Sequence, residues 1–408
     1  MDLRSYVPDR ISAQAKVFLS ASILNGLGNG MVNVVFQLYL ATMGFESKAL
    51  GMMTMMNALG TAIITIPAGV LADRYGKKRI MIAGFVLTIA AISLVLTART
   101  GEMFMAAFFL IGLSNATFVV ITPLYSSFFE DSDMDRAFGI YGFLNIVSMS
   151  LGSLIGHLPP IMVNSYGFSF QSSYWTVIAL GALLITLQTP LYLLSLRGVD
   201  GPSGNGGFKI TLKSKGVVAK FFIIYFISVL GTSTFFSLFP FYVNKKFGVK
   251  SDALGTLFFL SNFVSAGANA VSPRLSKRLG TLRSIVLTIA LATPFYFLIP
   301  LSTSFTMVSA AYILRLGFRY VADPLATSLY MRLISKDEKS TANSMRMMAQ
   351  QVGNIVAPPL GGQLMETNLD LPAYVGASCY VVLALSFYIL LRGEEEKTTA
   401  DMIQEIPE

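Results

Sequence analysis

Three charged residues recur at intervals of four in an otherwise apolar stretch of the chain: Arg315, Arg319 and Asp323. Residues four apart share one face of an α-helix, so the three charges form a stripe about 12 Å long. A charge at the centre of a bilayer costs at least ~2.5–3.5 kcal/mol on insertion scales, so each must face protein or water and be paired or functional. The stripe therefore offers two cations that can hold an anion and one carboxylate that can carry a proton.

Two interpretations of Asp323 follow from its surroundings. It is the only acidic residue well inside a predicted helix, which makes it the candidate proton carrier. The alternative is an ion-pair partner of Arg319 that stays ionised, because a neighbouring cation favours the charged carboxylate. Arg315 and Arg319 are the candidate charged ligands of a substrate.

A second polar stripe lies near the N-terminus, where four amide side chains recur every four residues: Asn25, Asn29, Asn33 and Gln37. Unpaired amides are costly in hydrocarbon, so this stripe must face protein or a wet cavity. It either lines a cavity or hydrogen-bonds to a neighbouring helix, with Gly26 and Gly30 allowing close packing. Asn115, inside another apolar run, is a further candidate for cavity lining.

The composition indicates that these stripes lie in membrane-spanning helices. Of 408 residues, 54% are apolar and 13% are charged, against a charged share of about 25% in soluble domains. The apolar residues come in blocks of about 20, the length of a membrane-spanning helix. We predict twelve such helices at 15–42, 48–72, 79–98, 102–129, 136–158, 171–196, 217–244, 250–274, 282–301, 305–331, 340–365 and 371–391.

Lysine and arginine indicate the orientation, because short cytoplasmic loops retain positive charge. With the N-terminus inside, 22 of the 30 fall on the cytoplasmic side, five outside and three within helices. Both termini are therefore predicted to be cytoplasmic. The net charge of +8 reflects this asymmetry, so nucleic acid is not an expected partner.

Few residue types that support catalysis or metal binding are present. One cysteine, Cys379, and one histidine, His157, exclude a disulfide framework and any ordinary zinc or haem cluster. No nucleophile with a base and no phosphate-binding loop is evident. We expect no enzyme activity, no cofactor and no metal. A membrane sensor is also disfavoured, because no predicted loop is long enough for a soluble output domain.

The two halves of the chain repeat one another. Ser47-x-Ala-Leu-Gly51 recurs as Ser251-x-Ala-Leu-Gly255, and Arg74-x-Gly-x-x-Arg79 recurs as Arg278-x-Gly-x-x-Arg283, both at an offset of 204. Pro123-Leu124-x-x-Ser127 matches Pro324-Leu325-x-x-Ser328 at an offset of 201. In that register the charged stripe has uncharged counterparts in the first half: Ser114, Phe118 and Thr122.

Six helices per copy is an even number, so both copies insert with the same orientation. The predicted fold class is an all-α membrane protein with two six-helix bundles related by a parallel pseudo-two-fold repeat. The predicted boundaries are an N-terminal bundle at 1–196, a Gly-rich cytoplasmic linker at 197–216, a C-terminal bundle at 217–392 and a cytoplasmic tail at 393–408.

The segment Gly69-Val-Leu-Ala-Asp73-Arg-Tyr-Gly76-Lys-Lys-Arg79 resembles the loop motif of the major facilitator superfamily. The resemblance extends over essentially the whole chain. It implies a substrate site near the midplane between the halves, lined by the first, fourth, seventh and tenth helices. It also implies a cytoplasmic gate that closes near Ser340 and Thr341. The gate residues would be Gly69, Asp73, Arg74, Gly76, Lys77 and Lys78.

The resemblance also leads to an expectation of function. The predicted helices 305–331 and 340–365 resemble those of prokaryotic exporters. We therefore expect a monomeric, multi-pass plasma-membrane transporter that exports drugs or amphipathic metabolites, coupled to protons or another ion. The alternative is a proton symporter or facilitator for uptake of an anionic nutrient, held by Arg315 and Arg319.

Overall fold

The computed structural model describes residues 11–115, 121, 124–130, 133–195, 214–335 and 338–404. Within these ranges the regular structure is helical. The α-helices are α1 Ala13–Thr42, α2 Ser47–Tyr75, α3 Lys77–Thr97, α4 Gly101–Ser114, α5 Met134–Leu154, α6 Leu158–Tyr166, α7 Phe170–Ser195, α8 Lys215–Phe236, α9 Phe239–Phe247, α10 Ser251–Leu279, α11 Thr281–Leu301, α12 Phe305–Leu333, α13 Lys339–Thr367 and α14 Leu371–Gln404. A 3₁₀ turn at Ile155–His157 joins α5 to α6.

Among the described residues, eight helical stretches are long and apolar enough to cross a membrane. They are formed by α1, α3, α5 with α6, α7, α8 with α9, α10, α11 and the first part of α14. Three further predicted spans, α2, α12 and α13, are each 29 residues long. The predicted helix 102–129 is described only in part, and most of the predicted linker lies outside the described residues.

Matching turns join corresponding helices of the two halves. Gly76 separates α2 from α3 with φ of 91°, and Gly280 separates α10 from α11 with φ of 83°. Residues with a side chain rarely adopt a positive φ, whereas glycine does so without steric cost. The repeated glycine at an offset of 204 therefore allows the same one-residue turn in each half.

Matching hydrogen bonds give the register of the repeat near α12. The Tyr125 hydroxyl donates to the carbonyl of Ala137 at 3.0 Å. The Tyr330 hydroxyl donates to the carbonyl of Ala342 at 2.7 Å. Both residues of the second pair follow those of the first by 205 positions.

The helix starts give an offset that is smaller by one residue. Thr100 caps α4 by accepting from the amide of Met103, and Ser304 caps α12 by accepting from the amide of Met307, at an offset of 204. The offset of 201 taken from the proline motifs was therefore wrong by one helical turn. At the offset of 205 given by the tyrosine bonds, the counterparts of the charged stripe become Leu110, Ser114 and Phe118, of which Phe118 lies outside the described residues. The charges remain specific to the second half.

The chain divides into two compact units. The first comprises residues 1–208 and 248–262, and the second comprises 209–247 and 263–408. In the first unit α1 packs against α5 and α7. In the second unit α8 packs against α13 and α14, while α11 packs against α12 and α14. The charged stripe on α12 therefore belongs to the helices of the second unit.

Candidate functional site

An ion pair on α12 forms the centre of the site. The Arg319 guanidinium donates to the carboxylate of Asp323. Its other terminal nitrogen donates to Ser228 Oγ on α8 at 2.8 Å. The side chain of Arg319 is 17% exposed, whereas that of Asp323 is 44% exposed. The cation is thus held inside the helix bundle, and the carboxylate is partly exposed.

The pair borders a narrow, partly open cleft with a volume of about 10 Å³. Apart from Arg319, Asp323, Ser228 and the Tyr225 hydroxyl, its walls are apolar. The lining residues are Ile224, Tyr225, Ser228, Ile289, Arg319, Ala322, Asp323, Ala326, Leu383 and Phe387. Such a cleft presents one carboxylate beside an apolar surface.

Arg315, one turn before Arg319, has a different environment. It is 2% exposed. Its guanidinium carbon lies 3.8 Å from the ring centroid of Phe236, 5.0 Å from that of Tyr296 and 4.9 Å from that of Tyr380. Its terminal nitrogen donates to the Tyr380 hydroxyl. Cation–π attraction to desolvated rings contributes about 2 kcal/mol, so aromatic faces compensate this buried charge.

Close helix contacts fix the aromatic rings around Arg315. The Tyr296 hydroxyl, from α11, donates to the carbonyl of Gly231 on α8 at 2.8 Å. A Cβ atom at Gly376 on α14 would collide with that same hydroxyl. The glycine therefore allows α14 to approach α8 and α11. Tyr380, one turn further along α14, then reaches Arg315.

The sequence stripe thus converges with residues that the sequence did not single out: Ser228, Phe236, Tyr296 and Tyr380. They lie on α8, α11 and α14, which are largely apolar helices. Aromatic residues are common in such helices, so their types and spacing carry no signal of a shared site.

The amide stripe of α1 does not lie on the face of α1 that packs against α5. A Cβ atom at Gly26 or Gly30 would collide with α5, so α1 packs against α5 through the face that holds these two glycines. Asn29 and Asn33 are exposed, and Asn29 Nδ2 donates to the backbone carbonyl of Asn25 at 2.9 Å. Gln37 is half-buried. Cavity lining by Asn29, Asn33 and Gln37 stays a prediction.

Asn115 lies at a contact between two helices. Its Nδ2 donates to Thr61 Oγ1 on α2 at 2.8 Å, just after α4 ends. Thr61 Oγ1 in turn donates to the carbonyl of Asn57 at 2.9 Å. This arrangement ties α2 to α4. A role for Asn115 in a substrate cavity stays a prediction.

The predicted gate motif spans the end of α2 and the start of α3. The backbone of Asp73 is helical, whereas its side chain and that of Ser340 lie outside the described part of the structure. The Arg74 guanidinium carbon is 5.4 Å from the ring centroid of Tyr75. Lys77 and Lys78 begin α3. The gate role of these residues stays a prediction.

Comparison with known proteins identifies the class. The family model of the Major Facilitator Superfamily matches residues 18–358 and 221–405. The chain belongs to this family of membrane transporters and is not an enzyme. It is 24% identical to Multidrug resistance protein 1 of Bacillus subtilis (strain 168), over 88% of this chain and 91% of that protein.

Further comparisons agree with this class. Multidrug resistance protein MdtL of Escherichia coli O81 (strain ED1a) is 26% identical over 52% of this chain and 54% of that protein. The crystal structure of nucleoside transporter NupG has a TM-score of 0.74 at 14% identity, covering 93% of this chain and all of that chain. A bacterial homologue of ferroportin has a TM-score of 0.71 at 14% identity, covering 93% and 98%. The predicted family and its fold class are confirmed.

Proposed function

We propose that this protein is a secondary active transporter that exports drugs or amphipathic metabolites in exchange for protons. Two observations support the proposal. The chain is similar over most of its length to proteins named for multidrug resistance. Asp323 combines a half-exposed carboxylate with a cationic partner at the edge of an apolar cleft. A carboxylate in this setting can bind a proton and release its partner.

Uptake of an anionic nutrient is less well supported. An anion would need an accessible guanidinium, since bidentate binding uses its free donors. Arg315 is 2% exposed and enclosed by aromatic rings, and Arg319 is engaged by Asp323 and Ser228. The half-exposed group is the carboxylate, which favours a cationic or neutral amphipathic substrate.

The proposed mechanism is alternating access in the plasma membrane. The halves 1–196 and 217–392 would move as bundles, and the motif at 69–79 would close the cytoplasmic side in one state. Asp323 would take up a proton in one state and release it in the other. The transporter would act as a monomer.

The test uses purified protein in proteoliposomes with tetraphenylphosphonium as a lipophilic cationic probe. Asp323→Asn is expected to abolish accumulation driven by a pH gradient while leaving counterflow close to the wild-type rate, because counterflow needs no net proton movement. Glu102→Gln, an exposed acid-to-amide change at the start of α4, is the matched control. Gradient-driven accumulation by the Asp323→Asn variant would eliminate Asp323 as the proton carrier.

A further inference from the structure

The hydroxyl of Tyr380 lies between the two arginines of the stripe. Arg315 donates to it, and Arg319, one helical turn further along α12, interacts electrostatically with it. On its other side, Thr232 Oγ1 is 3.1 Å away. A tyrosine hydroxyl can accept two hydrogen bonds and donate one. Accepting from Arg315 and donating to Thr232 leaves the hydroxyl one acceptor position for the neighbouring Arg319.

The position of this hydroxyl does not depend on Asp323. Tyr380 is 0% exposed. Its ring packs edge-on against Tyr296, with centroids 5.2 Å apart, and its face contacts the buried guanidinium of Arg315. Arg315 is itself held by Phe236. The hydroxyl is therefore a fixed neutral acceptor beside Arg319.

We propose that Tyr380 is a positioning residue for the Arg319–Asp323 pair, with Arg315 holding Tyr380 in place. The proposal rests on the proposed function, in which Asp323 carries the coupled proton. When a proton from water adds to a carboxylate oxygen of Asp323, the acid becomes neutral and Arg319 keeps its own proton. The Tyr380 and Ser228 oxygens then hold the buried guanidinium. Arg319 stays in place, and the carboxyl group can change protonation state without stranding a cation.

Other titratable groups lie around Asp323. Tyr225 on α8 and Tyr320 on α12 interact electrostatically with it. Arg346 on α13 has its guanidinium carbon 5.5 Å from the ring centroid of Tyr225 and donates to Asn343 Oδ1 at 3.0 Å. Tyr380 differs from these groups because its hydroxyl accepts from Arg315 and also interacts electrostatically with Arg319.

A double-mutant cycle on thermal unfolding in detergent tests the proposal without requiring transport. Asp323→Asn imitates the protonated acid, and Tyr380→Phe removes only the hydroxyl. Because Arg319 then depends on Tyr380 and Ser228, Tyr380→Phe is expected to lower Tm about twice as much in the Asp323→Asn background as in the wild-type background. Equal losses in the two backgrounds would reduce Tyr380 to an ordinary packing residue and overturn the proposal.

Tyr388→Phe is the matched control on the same helix. Tyr388 is exposed, and its hydroxyl accepts from Arg392 at 2.9 Å, so the effect of Tyr388→Phe on Tm should be the same in both backgrounds.

If Tyr380→Phe yields too little protein, Arg315→Lys takes its place in the cycle. That variant keeps the charge but loses the planar guanidinium that fixes the hydroxyl. The same non-additivity is expected, and additivity would again overturn the proposal.

A transport assay distinguishes a failure of this inference from a failure of the proposed function. In proteoliposomes with tetraphenylphosphonium, Tyr380→Phe is expected to reduce accumulation driven by a pH gradient much more than it reduces counterflow. Wild-type coupling in this variant would overturn the inference and leave the proposed function standing. If the wild type shows no gradient-driven accumulation, proton-coupled export of such cations fails, and the thermal cycle still tests how Tyr380 holds Arg319.

Discussion

At the scale of single residues, α12 carries two cations and one acid with unequal exposure. Arg315 is buried among aromatic rings, Arg319 is mostly buried, and the Asp323 side chain is nearly half exposed. A leucine at position 323, unlike a protonated acid, would offer Arg319 no oxygen and would leave its charge only partly compensated, which is costly. Replacing both Arg319 and Asp323 with apolar residues of similar size removes that penalty.

The difference between replacing one and both members of the Arg319–Asp323 pair leads to a stability prediction. Asp323→Leu should lower the free energy of unfolding by about 3 kcal/mol, the lower end for buried pairs, because the carboxylate is partly exposed. The double change Arg319→Met with Asp323→Leu should recover much of the loss. Thermal unfolding in detergent measures both. An active double mutant that still concentrates substrate against its gradient would eliminate the proton-carrier assignment.

At the scale of helices, the start of α8 is capped from another element. Ser12 caps α1 with its own hydroxyl, which accepts from the amide of Ala15 at 3.1 Å. Ser214, before α8, makes no such side-chain bond. Instead the Ser214 amide donates to Glu338 Oε2 at 3.0 Å. Glu338 is 1% exposed and directly precedes α13, so a buried carboxylate from this second position caps the start of α8.

Glu338→Ala should therefore destabilise the protein by about 1–3 kcal/mol, because a backbone donor at the start of α8 loses its acceptor. Asp133→Ala, at the corresponding position 205 residues earlier, is the matched control. Asp133 pairs with the more exposed Arg136 at 3.4 Å, so its loss should cost less than about 1 kcal/mol. Unfolding in detergent compares them, and equal losses would contradict the capping role of Glu338.

At the scale of the whole molecule, the charge asymmetry predicts that both termini and the linker 197–216 are cytoplasmic. In a Cys379→Ala background, Gly204→Cys should resist an impermeant thiol reagent added to intact cells. Thr303→Cys, an exposed residue between α11 and α12, should react, since that loop is predicted to lie outside. Ready labelling at position 204 would reverse the topology.

The class of this protein was predictable from its residues alone. Long apolar blocks in a bilayer can satisfy their backbone only as helices, so composition and block length predicted an all-α membrane fold. The repeated turn at Gly76 and Gly280 followed from the sequence match, because a one-residue turn with positive φ demands glycine. The charged stripe was also evident, since charges are costly in hydrocarbon wherever they occur.

The residues that meet that stripe could be identified only from the packed helices. Ser228, Tyr296 and Tyr380 come from three helices distant in sequence, and their side chains are ordinary for apolar spans. Their convergence depends on close helix approach, such as that of Gly376 to the Tyr296 hydroxyl, and on the rotation of each helix. The register of the repeat near α12 likewise required the matched bonds of Tyr125 and Tyr330, because a slip of one helical turn leaves the hydrophobic pattern nearly unchanged.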